Sequence, residues 1–276
     1  MRLFYDAGTD VTLMKSLQMV CEEMLKRHYA IDGHIHLFSH RGLCEDSAAG
    51  TRVGFIDIEY DQMENYKDIA ALYDRYLPQL KNDIVLASAT DIETIKNIYK
   101  KHPTQIRGFG ELKLYDSFKG EELNYKRISF AREVAKFSSE QIAILPVYIH
   151  YELTNPQEIK HLDKLLKDFP TVPVVLCHCG MSRENPEYAF GAVKRLMAEH
   201  SNLWTDISWT SAEYFSKNPM LLTQLDQDRV FWGSDFSPRL KAHGYTSASK
   251  ADILSWRDAI STYIDSDRNI KRLFRI

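Results

Sequence analysis

"AIDGHIHLFSH", residues 30–40, sets two histidines two apart behind an Asp-Gly pair and within an apolar run. In a strand, side chains two apart point to the same face. His34 and His36 then converge on one side, while Ile35 and Leu37 face the other. A single histidine in such a run is ordinarily a hydrogen-bonded core residue. Two on one face each need partners for both ring nitrogens. A metal ion is one way to meet that need.

Seven further runs of this kind follow, at 52–60, 83–89, 106–115, 142–151, 172–180, 202–208 and 229–236. Between most of them lie amphipathic stretches. In "NPQEIKHLDKLLKDF", Ile159, Leu162, Leu166 and Phe169 form one apolar stripe and Pro156 suits a first helical turn. Eight strands with intervening helices over 276 residues predict a (β/α)8 TIM barrel rather than an open sheet. Leu13, Leu17, Val20 and Met24 predict a helix over 10–28, preceding the first barrel strand, with Asp10 as its cap. No low-complexity tract or Pro/Gly/Ser linker interrupts the chain, so residues 1–276 are expected to form a single domain. The polar stretch after the first strand reads as a long active-site loop.

Catalytic groups of such barrels sit at the C-terminal ends of strands. His34, His36, Glu111, Lys113, His150, His178 and Asp235 all fall at such ends, each inside an apolar stretch where an unpaired charge is costly. Three nitrogen donors and a carboxylate around an open position make a catalytic metal site of the zinc type. Charge is nearly balanced, with 35 basic and 38 acidic residues and no long run of one sign. That argues against a nucleic-acid or membrane-surface partner and leaves a small-molecule substrate. The first residues lack the apolar core of a secretory leader, and no window approaches about 18 apolar residues. Four cysteines are too few for a disulfide framework at this size, so a cytoplasmic setting is expected.

"DGHIHLF", "GELKLY", "YIHYE", "VVLCHCG" and "FWGSDF" resemble the strand-end motifs of the amidohydrolase superfamily, and most of all its amidohydrolase-related (amidohydrolase 2) branch. The likeness spans residues 30–276. It implies His34, His36 and His150 as metal ligands and Asp235 as ligand and proton acceptor. It leaves His178 as a second-metal ligand or a hydrogen-bond donor to substrate. "GFGELKLY" also resembles the Gly-Glu strand of TatD-type nucleases, whose glutamate can bridge two metals, which makes Glu111 a candidate ligand. Other members carry a carboxylated lysine on that strand. Lys113 reads better as an ammonium that neutralises Glu111 or substrate.

The resemblance implies a metal-dependent hydrolase that acts on an ester, lactone or amide bond through a metal-activated water. One divalent ion is expected, with room for two, and zinc is the first choice. The same ligands could serve a metal-dependent decarboxylase. A TatD-like phosphodiesterase is disfavoured by the missing basic stripe, and a non-enzymatic binding protein by the cost of keeping a full ligand set. Arg41, Arg183 and Arg239 follow strand ends and could grip a substrate carboxylate. Cys177 and Cys179 are expected to point away from His178 into the strand–helix layer. His28, His102, His161 and His200 are expected in solvent, and His40 and His243 in loops over the barrel mouth. Tyr148, Tyr151 and Trp209 are the aromatics placed to line a pocket, and Asp206 and Ser208 read as supporting groups on the seventh strand.

Overall fold

The computed structural model describes residues 31–39, 42–43, 51–56, 69–114, 121–182, 184–235 and 250–276. The helix expected over 10–28 lies outside them, as do His28, His40, Arg41, Arg183, Arg239 and His243. In order, the elements are β1 (Ile31–Ser39), β2 (Gly42–Leu43), β3 (Thr51–Ile56), α1 (Ile69–Tyr76), β4 (Ile84–Ala87) and α2 (Ile92–Lys101). Then come β5 (Ile106–Lys113), α3 (Glu121–Ser139), β6 (Val147–His150), α4 (Pro156–Asp168), β7 (Val174–Leu176) and α5 (Pro186–Glu199). The chain continues through β8 (Leu203–Ile207), α6 (Trp209–Lys217), β9 (Val230–Trp232), α7 (Lys250–Ile260) and α8 (Ser266–Phe274).

The sheet runs β2-β1-β3-β4-β5-β6-β7-β8-β9. β2 folds back antiparallel on the end of β1, pairing Phe38 with Leu43. Every other neighbouring pair is parallel, which leaves eight parallel strands in a nearly closed (β/α)8 barrel. The expected strands are all present among the described residues, most of them shorter than the apolar runs that announced them.

Helix starts follow from local chemistry. At α4, Asn155 accepts from the backbone of Gln157 and Glu158, Glu158 reaches back to the backbone of Asn155, and Pro156 occupies the first turn. The buried face of α4 is then Ile159, Leu162, Leu165 and Leu166, close to the stripe read from sequence. Two apolar layers result. Val147, Ile149, Val174, Leu176, Leu203 and Ile207 face the helices. Ile31, Val53, Leu86, Tyr148, Val175 and Phe231 fill the barrel, whose floor is Ile270, Leu273 and Phe274 of α8.

The barrel closes where β9 meets β1. The Asp235 amide donates to the His34 carbonyl at 2.8 Å, and the Ser234 amide donates to Asp32 Oδ1 at 2.8 Å. Two glycines permit the approach. A Cβ on Gly33 would stand 2.6 Å from the Trp232 carbonyl oxygen, and one on Gly233 would stand 2.4 Å from His34 Cβ. Gly233→Ala is therefore expected to force β9 off β1 at a cost of about 1–3 kcal/mol, the usual penalty of overpacking. A chemical-denaturation midpoint equal to that of the parent protein would refute this account of the seam.

Candidate metal centre

Asp206, at the end of β8, organises the histidines. Its Oδ2 sits 2.9 Å from His34 Nδ1, and its Oδ1 accepts from the His178 amide at 3.1 Å. Oδ1 also takes a short hydrogen bond from the Ser208 hydroxyl, whose oxygen lies 2.8 Å from His178 Nδ1. One buried carboxylate thus fixes His34 directly and His178 through its backbone and Ser208. With both Nδ1 atoms engaged, each ring presents Nε2 to the barrel mouth.

Glu111 and Asp235 face those two nitrogens. Glu111 Oε1 lies 3.7 Å from His34 Nε2, 3.6 Å from His178 Nε2 and 2.9 Å from His150 Nδ1. Asp235 places Oδ1 3.4 Å from His34 Nε2 and Oδ2 3.9 Å from His178 Nε2. The ligand-type atoms of His34, His178 and Asp235 all lie within 4.8 Å of one another, as do those of Glu111, His150 and His178. The two trios share His178.

The chain reaches this geometry by leaving regular strand structure at three points. On β5, Gly110 has φ of +114° and the register with β6 slips between Phe109 and Leu112. Phe109 and Leu112 therefore both face outward, while Glu111 turns into the mouth. β7 ends at Leu176, and His178 and Cys179 adopt left-handed φ of 55°. Asp235 follows β9 with φ of 49°. Such a conformation costs a non-glycine residue on the order of 1 kcal/mol.

These departures correct several sequence readings. Cys177 and His178 do not alternate on a strand, because the strand has already ended. Cys177 points into the barrel beside His34 and Asp206, and only Cys179 faces the helix layer. Tyr151 packs into that outer layer as well, Tyr148 lies beneath the site with its ring edge toward His34, and half-buried Trp209 meets His178 edge-on. His200 is buried with Nε2 2.8 Å from Asp163 Oδ1, and His102 Nε2 lies 2.8 Å from Asp74 Oδ1. His200 is therefore not solvated as expected, whereas His102 is half-buried in a surface ion pair. Lys113 is half-buried and paired in register with His150. The backbone of His36 pairs with Phe55, but its side chain lies outside the described part. Asp32, not singled out from sequence, is fully buried behind the seam. The Asp-Gly pair preceding the histidines was its signal.

Burial and charge pull against each other here. Burial alone lowers the His34 imidazole, yet Asp206, Asp235 and Glu111 reverse this and raise it to about 9. His178 is likewise raised, burial being outweighed chiefly by Asp235, Glu111 and Asp206. Burial keeps His150 below its ordinary value. Burial raises Glu111, but His150 and the other histidines pull it well down, and His34 does the same for Asp206. The carboxylates thus favour their charged forms and ask for positive charge among them. Protons on His34 and His178 supply it, or a cation bound at the Nε2 atoms. Buried imidazole and carboxylate donors in this grouping fit a divalent ion of the zinc kind.

Residues 143–262 match the family model described as Amidohydrolase. That stretch is under half of the chain, and the match supports a metal-dependent hydrolase in general. No curated protein matches the chain. Among solved structures it resembles a protein of Agrobacterium tumefaciens in its apo form, at 12% identity and a TM-score of 0.58, over 91% of this chain and 97% of the other. It also resembles amidohydrolase 2 of Bifidobacterium longum subsp. infantis (16%, TM-score 0.53, 90% and 98%). A third likeness is to dihydroorotase of Campylobacter jejuni (14%, TM-score 0.50, 90% and 83%). At these identities the structural likenesses speak to the amidohydrolase fold alone. Among the described residues, no helix is long and apolar enough to cross a membrane.

Two outcomes follow. Asp206→Asn leaves one oxygen but not the charge, and divalent-ion affinity is expected to fall about 10–100-fold, the scale for such supporting partners. Equal ion affinity in a competition titration would show that Asp206 does not orient the histidines. The second concerns the metal-stripped protein. His34 is raised from 6.5 to about 9, so its stabilising proton is fully present below pH 6.5 and lost as pH rises through about 9. Asp206 is lowered from 3.8, so its contribution is present above that value and lost as pH falls further. Melting temperature should therefore decline from pH 6.5 to 9, and the gain on adding zinc should grow over the same interval. A flat profile without metal would remove the proton from His34.

Proposed function

We propose that this chain hydrolyses an ester, lactone or amide bond of a small molecule at the mouth of the barrel. One observation carries the reading. His34 Nε2, His178 Nε2, Glu111 Oε1 and both Asp235 oxygens converge there, with every one of these side chains buried and both imidazoles held from behind. His34, His178 and Asp235 form the first candidate ligand set, and Glu111 with His150 extends it. His36, which shares β1 with His34, belongs to the same proposal on sequence grounds. Zinc suits the nitrogen and carboxylate donors best.

When bound, a divalent ion supplies Lewis acidity, which brings water into a range where a carboxylate can deprotonate it. The protein's own share follows from geometry. Asp235 is the carboxylate that enters from the seam, 5% exposed, and its left-handed backbone holds it against His34. It takes the proton of the attacking water and returns it to the leaving group. Asp206 and Ser208 keep His34 and His178 from turning as charge develops. Tyr148, Phe231 and the α8 floor keep solvent out from below, which strengthens every polar contact above. A small-molecule substrate, a cytoplasmic location and the absence of a nucleic-acid partner are in keeping with the balanced charge.

Elemental analysis of the purified protein should find about one to two divalent ions per chain, because the donors form two overlapping trios. Turnover in labelled water should place solvent oxygen in the product. Release of carbon dioxide without that label would replace hydrolysis with decarboxylation. Asp235→Asn keeps the shape and removes the base, so turnover should drop about a hundredfold or more while most of the metal stays. Near-normal turnover with an unchanged pH profile would move the base to another residue, Glu111 first.

A further inference from the structure

The segment that leaves β6 keeps the alternation of an extended chain. Tyr151 and Leu153 are buried in the outer layer between strands and helices. The Leu153 amide donates to the Gly180 carbonyl at 2.9 Å, which ties the segment to the turn that carries His178. Glu152 lies between them and is only half-buried. Alternation directs its side chain opposite to theirs, to the His150 side and over the barrel mouth.

The buried carboxylates nearby are all held. Glu158 accepts from the Thr154 and Asn155 amides and from the Thr154 hydroxyl. Glu111, Asp206 and Asp235 face the histidines. Among the described residues, Glu152 has no hydrogen bond and no ion pair, although it lies within electrostatic reach of His178 and of the acidic Glu158 and Glu184. A carboxylate withdrawn from water without a partner is costly, and more so among like charges. Its place above the reacting centre makes a substrate group the natural partner.

We propose that Glu152 is a specificity-determining residue that receives an ammonium or guanidinium group of the substrate, placed near the bond that is cleaved. The inference rests on the hydrolase reading of the same site and adds the substrate class: a small ester, lactone or amide that carries a cationic arm. A carboxylate accepts such a group through charge-assisted hydrogen bonds, which are about twice as strong as neutral ones.

Hydroxamates provide a test that needs no turnover, because they chelate a bound divalent ion and leave their side arm to probe the mouth. Zinc-loaded protein is titrated by calorimetry with ω-aminoalkyl hydroxamates of increasing length and with alkyl hydroxamates of matched length. The wild-type protein is expected to prefer the amino compound of best-fitting length by about tenfold or more, the scale of one charged hydrogen bond. In Glu152→Gln that preference, taken as the ratio of the two affinities, should largely vanish. A wild-type protein that binds both series alike overturns the assignment without any variant. A preference that survives in Glu152→Gln also overturns it, and assigns cation recognition to another group. Binding of neither series overturns the metal-site reading, and this inference with it.

Discussion

The hydrogen bond from the Asp235 amide to the His34 carbonyl joins the last strand of the barrel to the first. It is also the shortest backbone route between two of the groups that converge at the mouth. Fold and site therefore share one constraint. β9 must come close enough to β1 for that bond to form, and only glycine at 33 and 233 leaves the space. Once it forms, His34 and Asp235 face each other whatever the rest of the mouth does. Asp32 secures the same seam from behind by accepting the Ser234 amide. The Asp-Gly pair ahead of the histidines thus has a mechanical reason: one residue anchors the seam and the next lets it close.

Charge sets the second constraint. Asp32, Glu111, Asp206 and Asp235 are all buried within one end of the barrel. Burial pushes Asp32 toward its neutral form, with only the Ser234 and His34 contacts opposing. Around Glu111 and Asp206, histidines supply most of what opposes burial. A ring of buried carboxylates that depends on histidine protons for balance is poorly stable in alkaline solution by itself. A divalent cation removes that dependence because it replaces protons at the Nε2 atoms with fixed charge. The same electrostatics explains why the histidines are held at Nδ1. A ligand free to rotate would lose more on ordering than a fixed one.

Much of this architecture was legible from sequence, for identifiable reasons. Eight apolar runs with amphipathic stretches between them leave few topologies open, and the barrel is the one found. His34, His150, His178 and Asp235 stood out because polar groups at the ends of apolar runs demand partners. Direction was harder to read. Strict alternation led Cys177 to the wrong layer, since β7 ends at Leu176 and left-handed residues follow. At Glu111 the register slip after Phe109, not alternation, is what turns the side chain inward. His200 was expected in solvent because its partner, Asp163, lies on α4, and no local pattern announces a contact between elements. Asp206 was visible only as a supporting group. Its central role comes from three contacts, two of them with residues distant in sequence.

The two ends of the barrel divide stability from chemistry. Below the site, Tyr148 stacks against Phe274 with ring centroids 6.3 Å apart and Phe231 tilts in at 6.1 Å, so α8 seals the floor with apolar side chains. Phe231 and Phe274 offer nothing that competes for a cation or a proton, and burial holds the Tyr148 hydroxyl in its neutral form. Above the site, strands give way to irregular segments in which His178, Asp235 and Glu152 take their directions from turns and close contacts. Among the described residues the floor is sealed, so a substrate approaches the histidines from the mouth, where Glu152 is proposed to receive its cationic arm. The apolar floor lowers the local dielectric, so a charge at the mouth acts on the reacting centre more strongly than it would in water. Over a sealed base, one half-buried carboxylate suffices, on the proposal made for Glu152, to discriminate between substrates that present the same scissile bond.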